Sequence, residues 1–546
     1  MTRKKWQKKM IDQYGRMPQD PVEDSEIDIL RGYFDHRRKA EPTAFHIDET
    51  TWQDLSMDDV YRRVNHTLTS PGDQLLYYWL RTPALEEAVY TRRREMIRYM
   101  ETHPDVRMRI QRILAKTGKH RAAQTIESFA PSAARSGGLW IAILLPILLL
   151  ISGLCMVKIS WMVPVFFALL ILLPAYHIGM TRRLETNLPI VNTIVSTIAA
   201  YRKIVRTLPD DGAFLTAPYA AAGQRTKAVT RIGGTSFATN NDLMLLVNNF
   251  LLFDLIIYEL LKNRIGRLSK EVSAIHTCVG ELDAAIAAAS YRQAAGYWCE
   301  PNLSFEADAP LRLRAEGMVH PLLRHPVPNT VDTARSLLIT GSNASGKSTF
   351  LKAAALNALL AQSIATALCE AYSAPAFHIY SSMALSDDIL AGESYFVTEI
   401  KAIRRICRAA QRGERVLCIV DEVLRGTNTV ERIAASSVLL EDLAEHDCLC
   451  IAATHDAELC ELLEKRYTLF HFQERVTASD ITFDYRLHPG AVCSSNAIRL
   501  LGLLGFGKEV TAQADERAEY YRQNGAWTPS RDDESDYMPT ERSDLQ

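Results

Sequence analysis

The sequence lacks any cysteine pattern that would indicate a metal site or a disulfide framework. Its ten cysteines are scattered, and no two of them form a C-x-x-C pair. Cys448 and Cys450 alternate in a predicted strand, so their side chains would point to opposite faces of a sheet. We therefore expect the cysteines to be reduced, as in a cytosolic protein, and to bind no metal.

The sequence also has little net charge, no internal repeat and no cleavable signal peptide. The formal charge is -2 over 546 residues, which gives no overall attraction to nucleic acid, although it does not exclude a local basic patch. The basic start, MTRKKWQKKM, is not followed by an apolar stretch. The hydrophobic share of 47% is ordinary for a globular protein. The length predicts about three or four domains.

The most informative stretch is a glycine-rich loop that follows a short apolar run. Residues 337–339 predict a buried strand, and GSNASGKS at 341–348 fits the phosphate-loop pattern G-x-x-x-x-G-K-[ST]. The two glycines would let several backbone N–H groups point into one anion-binding concavity. A helix predicted over 351–367 would add its N-terminal dipole. The sequence therefore predicts a nucleoside triphosphate site. The predicted nucleotide-binding residues of the loop are Gly341, Ser342, Asn343, Ala344, Ser345, Gly346, Lys347, Ser348 and Thr349.

Two later strands would complete a hydrolytic site. The apolar run 416–420 leads to Asp421, which would hold Mg²⁺, and to Glu422, which would orient or deprotonate the attacking water. A third strand over 448–452 leads to His455, which would reach the γ-phosphate or that water. The predicted catalytic residues are Glu422, His455 and Lys347, and the predicted Mg²⁺ ligands are Ser348 and Asp421.

Two long apolar runs interrupt the first half of the chain. Residues 139–157 carry no charge and residues 161–178 are nearly as apolar, so each is close to the ~20 residues that a helix needs to cross a bilayer core. Basic residues flank the pair on both sides (Arg135, Arg182 and Arg183), which predicts cytoplasmic flanks, termini and catalytic domain by the positive-inside rule. The alternative is a buried helical hairpin in a soluble core.

The remainder of the first 300 residues has helical periodicity. The stretch 242–261 is apolar but contains Asn and acidic residues, so we expect a buried or membrane-grazing helix there and not a third span. The expected divisions are a polar extension (1–44), a helical domain in two parts (45–134 and 181–300), a transmembrane hairpin (135–180), a nucleotide-binding domain with terminal helices (301–522) and a disordered acidic tail (523–546).

Four segments resemble the ATPase domain of the MutS family, in its order and spacing: GSNASGKST, ALSDDILAGESYFVTEIKAI, VDEVLRGTNTVE and AATHDAEL. The resemblance implies an α/β ABC-type P-loop ATPase domain that uses ATP and Mg²⁺, preceded by a mostly α-helical MutS core- and lever-like domain that the hairpin interrupts. It implies a homodimer in which Ser394 is the signature serine that reaches the partner's nucleotide. His320, in MVHP, resembles the histidine of the family's Arg-His-Pro segment, with Val replacing Arg. Residues 489–498 resemble the family's C-terminal dimerisation end.

The departures from that family bear on function. The sequence has no counterpart of the mismatch-reading domain, of a basic DNA-clamp insertion or of the small MutS-related nuclease domain. We therefore expect a membrane-anchored ATPase whose hydrolysis moves its helical arms, with the bilayer as a partner over 139–178. The alternative is a membrane-tethered binder of branched or mismatched DNA, which the arginine run at 92–94 favours. One hairpin per subunit and the lack of an LSGGQ-type signature argue against an ABC transporter.

Overall fold

The computed structural model describes most of the chain, and the fold below refers to that part. Asn343, Ala344 and Ser394, which the sequence assigns to nucleotide binding, lie outside it. The described residues are 12–18, 22–119, 138–185, 187–233, 248–342, 345–383, 395–425, 427–476, 481–491, 498, 501–502, 505–525 and 527.

The first 300 residues form a helical region arranged around one long helix, α13, of 27 residues. Ala and Gly along α13 allow close packing: at Gly280 a Cβ atom would lie 2.5 Å from the Pro71 carbonyl oxygen of α4. The helices are α1 (Asp24–Ala40), α2 (Glu49–Asp54), α3 (Met57–Val64), α4 (Ser70–Arg81), α5 (Glu87–Thr102), α6 (Pro104–Thr117), α7 (Gly138–Cys155), α8 (Met162–Arg183), α9 (Asn187–Thr207), α10 (Ala220–Arg225), α11 (Lys227–Gly233), α12 (Phe253–Arg267) and α13 (Ser269–Ala295).

Part of the polar extension expected over 1–44 is packed into this region. Helix α1 buries Ile27, Leu30 and Phe34, which recur at the spacing of one helix face. The segment before it also docks, since the Gly15 N–H donates to Ser290 Oγ of α13 at 3.0 Å. Residues 24–40 therefore contribute to the core of the helical region.

Helices α7 and α8 coincide with the predicted hairpin. They are long and apolar enough to cross a membrane, with mean hydropathy of 2.5 and 2.0 in their most apolar windows. Only 22% and 11% of those windows are buried inside the protein, and side chains such as Leu154 and Ile171 are 79% and 75% exposed. Helix α13 also meets the length and composition criteria, but 78% of its window is buried, as expected for a core helix.

The second half of the chain is an α/β region with two sheets. The larger sheet has the order β10-β9-β4-β8-β7-β6 and is parallel except for β10. The smaller sheet has the order β1-β5-β2-β3. The strands are β1 (Asn302–Ser304), β2 (Leu313–Met318), β3 (Asn329–Thr333), β4 (Leu337–Thr340), β5 (Ala371–Pro375), β6 (His378–Ser382), β7 (Val416–Asp421), β8 (Cys448–Ala453), β9 (Thr468–Val476) and β10 (Ile481–Pro489), and the helices are α14 (Lys347–Ile364), α15 (Tyr395–Gln411), α16 (Thr429–Glu445), α17 (Ala457–Leu463) and α18 (Lys508–Asn524).

The topology of the larger sheet brings the predicted catalytic segments together. Strands β4, β7 and β8 are buried apolar runs, as is typical of parallel strands covered on both faces. They are neighbours in the sheet and run in the same direction, so their carboxyl ends lie at one edge. Ligands of such sheets bind at that edge.

The helical and α/β regions are joined at the C-terminal end of α14. Arg292 of α13 is 1% exposed, donates to the Ala365 carbonyl and pairs with Glu101 at 2.9 Å. Arg93 of α5, also buried, donates to the Ser363 carbonyl at 3.4 Å. Cations at the negative end of a helix dipole are stabilising, and they satisfy carbonyls that the helix itself cannot.

Replacing Arg292 with Met should lower the free energy of unfolding by about 3–5 kcal/mol, because it leaves the Glu101 carboxylate and the α14 carbonyls partly buried without their partner. Thermal and urea unfolding of the purified protein would measure the change. Arg312→Met is the control. Arg312 forms a bidentate ion pair with Asp332, but the pair is exposed, so this substitution should have little effect on stability. Equal effects of both substitutions would contradict this role of Arg292.

Candidate active site

The phosphate loop connects β4 to α14, and its two glycines have backbone conformations that other residues rarely adopt. Gly341 has φ 140° and Gly346 has φ 108°. At Gly341 a Cβ atom would also lie 2.9 Å from the Phe472 carbonyl oxygen and 3.0 Å from Ser345 Oγ. The loop therefore needs glycine at 341 both for its backbone angle and for the space.

The ammonium group of Lys347 folds back onto the first residues of the phosphate loop. Its Nζ donates to the carbonyl oxygens of Gly341 at 2.7 Å and Ser342 at 2.9 Å, and lies 3.3 Å from His455 Nε2. Burial lowers the pKa of Lys347, and this effect outweighs the nearby Asp421 carboxylate, which raises the pKa. Ser345 Oγ is buried, without a hydrogen-bond partner among the described residues. These donors fit a bound phosphate chain.

Ser348 and Asp421 meet at the start of α14 as the sequence predicts. Ser348 Oγ donates to Asp421 Oδ2 at 2.5 Å. A hydroxyl and a carboxylate are oxygen ligands of the kind Mg²⁺ takes, usually together with water and substrate phosphates. The pair therefore fits the predicted Mg²⁺ site, and Ser348 and Asp421 are the side chains that would hold the ion.

Glu422 is held between the side chains of His455 and Arg425 in a strained backbone conformation. Its carboxylate oxygens lie 2.9 Å from His455 Nε2 and 2.8 Å from Arg425 Nε. Its φ is 57°, which costs a non-glycine residue about 1–3 kcal/mol. The hydrogen bond from His455, with the nearby Arg425, lowers the pKa of Glu422. The carboxylate is therefore ionised at neutral pH and fixed at the carboxyl end of β7.

The backbone around His455 is fixed by the neighbouring strands. The Thr454 N–H donates to the Ile339 carbonyl of β4 at 3.0 Å, and the Glu422 N–H donates to the Ala453 carbonyl of β8 at 3.0 Å. These two bonds tie the ends of β4, β7 and β8 together. The structure thus brings Lys347, Glu422 and His455 within one cluster of contacts.

His320 lies beside the phosphate loop, lining a cavity of about 160 Å³. Burial lowers the pKa of His320 to about 4, so its ring is neutral at physiological pH. The cavity is also lined by Gly346, Thr349, Phe350, Phe472 and Tyr485. Sequence reasoning missed Phe472 and Tyr485, because alternating apolar residues in a β-hairpin give no signal for a ligand. It also missed Glu474, which accepts a hydrogen bond from Ser342 Oγ at 2.5 Å.

The arginine run at 92–94 is engaged within the helical region. Arg92 pairs with Glu281 at 2.9 Å, and Arg94 lies 3.8 Å from Glu300. Arg93 is the buried residue that binds the end of α14. The run therefore does not form a free basic face.

Substituting Ala for Gly341 should weaken ATP binding roughly tenfold or more, because the added methyl group would meet the Phe472 carbonyl and distort the loop. Gly413→Ala is the matched control: Gly413 also has a left-handed φ, 77°, but has open space around it. Titration with a fluorescent ATP analogue would compare the two. An unchanged affinity in Gly341→Ala would contradict the role assigned to the loop.

The part of the chain that holds this candidate site is similar to known proteins. The family model of MutS domain V matches residues 337–521. The DNA mismatch repair protein MutS of Thermus caldophilus is 35% identical over 208 residues, which are 37% of this chain and 25% of that protein. Those of Natronomonas pharaonis and Symbiobacterium thermophilum are 31% and 33% identical over 275 and 279 residues, which are 48% and 47% of this chain and 31% of each protein.

The chain therefore spans about a quarter to a third of the length of these curated relatives. Its two mixed sheets and mostly helical N-terminal region are consistent with a MutS-type ATPase domain behind a helical region. The part of the chain that holds the phosphate loop, the Ser348–Asp421 pair and Glu422 is similar to domain V, the ATPase domain, of the MutS family.

Proposed function

We propose that the protein is a membrane-anchored, MutS-like ATPase with an ABC-type catalytic domain in the cytoplasm. It binds and hydrolyses ATP at a homodimer interface and couples hydrolysis to movement of its helical arms. The observation that carries the proposal is the position of Glu422, ionised and fixed by His455 beside the phosphate loop and the Ser348–Asp421 pair. This arrangement lies in the part of the chain that matches MutS domain V.

Each residue of the cluster has a distinct task in hydrolysis. Lys347 would leave its loop carbonyls to pair with the β- and γ-phosphates. Ser348 and Asp421 would hold Mg²⁺, which would neutralise negative charge on the phosphates. The Glu422 carboxylate would accept a proton from the water whose oxygen forms a bond to the γ-phosphorus, while the bond to the β,γ-bridging oxygen breaks. His455 would keep Glu422 oriented.

The cavity beside His320 is the proposed place for the adenine base. It adjoins Gly346 and Thr349 of the phosphate loop, and aromatic rings of Phe350, Phe472 and Tyr485 line it. A neutral imidazole and aromatic rings favour stacking with a flat base.

Exposed apolar residues at the C-terminal end support a homodimer. Helix α18 has no buried residue, although it carries large apolar and aromatic side chains. Val510, Tyr520 and Tyr521 are 52%, 42% and 42% exposed. Phe506, just before the helix, is 53% exposed. A second copy of the chain would cover such a surface, and it would bring Ser394 to the nucleotide of its partner.

The hairpin is fastened to the helical region, which supports its coupling to the ATPase. His177 of α8 contacts Asn249 Oδ1 through Nδ1 at 2.8 Å and Asp254 Oδ2 through Nε2 at 2.9 Å. Asp254 belongs to α12, which packs against α7 and α13. Since Arg292 of α13 binds the end of α14, packed contacts extend from the phosphate loop to the hairpin.

A second candidate function is binding of branched or mismatched DNA by the tethered protein. The names of the relatives, which are DNA mismatch repair proteins, favour it. The engagement of Arg92–Arg94 within the fold removes the basic segment that supported it in the sequence.

Glu422→Gln should lower ATP hydrolysis about 10²–10⁴-fold and retain ATP binding, because it removes the proton acceptor and keeps the side chain's shape. Glu445→Gln, at an exposed glutamate paired with Arg466, is the control and should keep the wild-type rate. Phosphate release by purified protein would be measured with and without duplex and branched DNA. We expect no effect of DNA; stimulation that falls steeply with salt would instead favour the second candidate.

Arginine at both Leu148 and Ile171 should release the protein from membranes or prevent its insertion, because each charge near the bilayer centre costs about 2.5–3.5 kcal/mol. These residues are 47% and 75% exposed on the hairpin. The control places arginine at Val438 and Leu462, which are 63% and 52% exposed on the ATPase domain. Membrane fractions washed with alkaline carbonate would report retention. Equal retention of both double variants would contradict membrane anchoring.

A further inference from the structure

Two cysteines lie in contact at the joint between the helical and α/β regions. Cys299 follows the end of α13, and Cys369 follows the end of α14. Their Sγ atoms are 3.5 Å apart. The backbone around them is paired, since the Cys299 N–H donates to the Ala367 carbonyl at 2.8 Å and the Ala367 N–H returns a bond at 3.1 Å. The two thiols are thus held together by the fold.

The two thiols differ in their access to solvent. Cys299 is partly exposed, whereas Cys369 is only 1% exposed. The Cys369 thiol and the nearby Arg292 cation lower the pKa of Cys299. The hydrogen bond with Cys299, together with burial, raises the pKa of Cys369. A partly exposed thiol with a lowered pKa, in contact with a second thiol, is the arrangement found in cysteines that sense oxidants.

We propose that Cys299 and Cys369 are a redox modification site, at which a hydroperoxide such as hydrogen peroxide converts the two thiols to a disulfide. The Cys299 thiolate attacks one peroxide oxygen, the O–O bond breaks, and hydroxide leaves, so that Cys299 becomes a sulfenic acid. Cys369 then attacks Cys299 Sγ while its thiol proton passes to the sulfenic oxygen, so that the S–O bond breaks and water leaves. The proton released by the Cys299 thiol converts the first hydroxide to water, so two thiols and one hydrogen peroxide yield one disulfide and two waters.

The reaction requires little movement of the chain. The sulfur atoms must approach from 3.5 Å to about 2 Å, which small side-chain rotations can supply. The bond would cross-link the segments that follow α13 and α14, the same two helices that Arg292 connects. If hydrolysis moves the arms at this joint, the disulfide would slow ATP turnover; that consequence rests on the proposed function, whereas the modification does not.

A second thiol pair provides an internal control. Cys418 and Cys448 lie on neighbouring strands of the larger sheet with Sγ atoms 3.7 Å apart, but they are 0% and 2% exposed. Their separation is similar, yet an oxidant in solution cannot reach them in the folded protein. The proposal therefore predicts that only the Cys299–Cys369 pair is oxidised under native conditions.

The test treats the reduced full-length protein in detergent with hydrogen peroxide, blocks remaining thiols, and maps peptides by mass spectrometry. We expect a peptide pair linked through Cys299 and Cys369, reversed by dithiothreitol, with Cys418 and Cys448 still reduced. In Cys369→Ser, Cys299 should stop at a sulfenic acid that dimedone traps, and in Cys299→Ser, Cys369 should stay reduced. Cys299 that reacts no faster than the hairpin's Cys155, or equal oxidation of Cys418 and Cys448, would overturn the proposal.

ATP turnover of the oxidised protein separates the modification from its consequence. We expect turnover to fall severalfold on oxidation and to recover with dithiothreitol, and we expect Cys299→Ser to be insensitive to peroxide. A mapped disulfide with unchanged turnover would overturn the effect on the joint. Absent turnover in the reduced protein would count against the proposed function, while the peptide map would still decide the modification.

Discussion

Helix α14 connects the helical and α/β regions, because its first residues contact the α/β region and its last residues contact the helical region. Its first residues, Lys347 and Ser348, contact the phosphate loop and Asp421. Its C-terminal carbonyls accept hydrogen bonds from Arg292 and Arg93, two buried arginines of the helical region. The helix dipole favours anions at the first end and cations at the second, so the same element suits both environments.

The candidate active site depends in turn on the order of the parallel strands. Since β4, β7 and β8 are adjacent, the phosphate loop, Glu422 and His455 follow the carboxyl ends of neighbouring strands. The strained φ of Glu422 persists because its N–H is bound to β8 and its carboxylate to His455 and Arg425. Surrounding structure that fixes such a conformation is common at functional sites.

The phosphate loop and the hairpin could be predicted because their signals are local. The spacing of Gly341, Gly346 and Lys347 specifies a backbone shape, and an uncharged run near 20 residues specifies a helix of membrane length. Helix α1 was harder to predict, since its apolar face covers a core made by distant segments. The arginines at 92–94 were misleading for the same reason: their carboxylate and carbonyl partners lie far along the chain.

The sequence by itself determined which candidate residues stand at the strand ends, because a phosphate-loop pattern consists of particular residue types at fixed short spacings. Only the tertiary structure decided which distant groups meet: His320 with Phe472 and Tyr485 beside the loop, His177 with Asp254 at the end of the hairpin, and Cys299 with Cys369 at the joint. These pairs are set by the packing of whole helices and sheets. No local pattern encodes that packing, since it arises from burying many apolar residues at once.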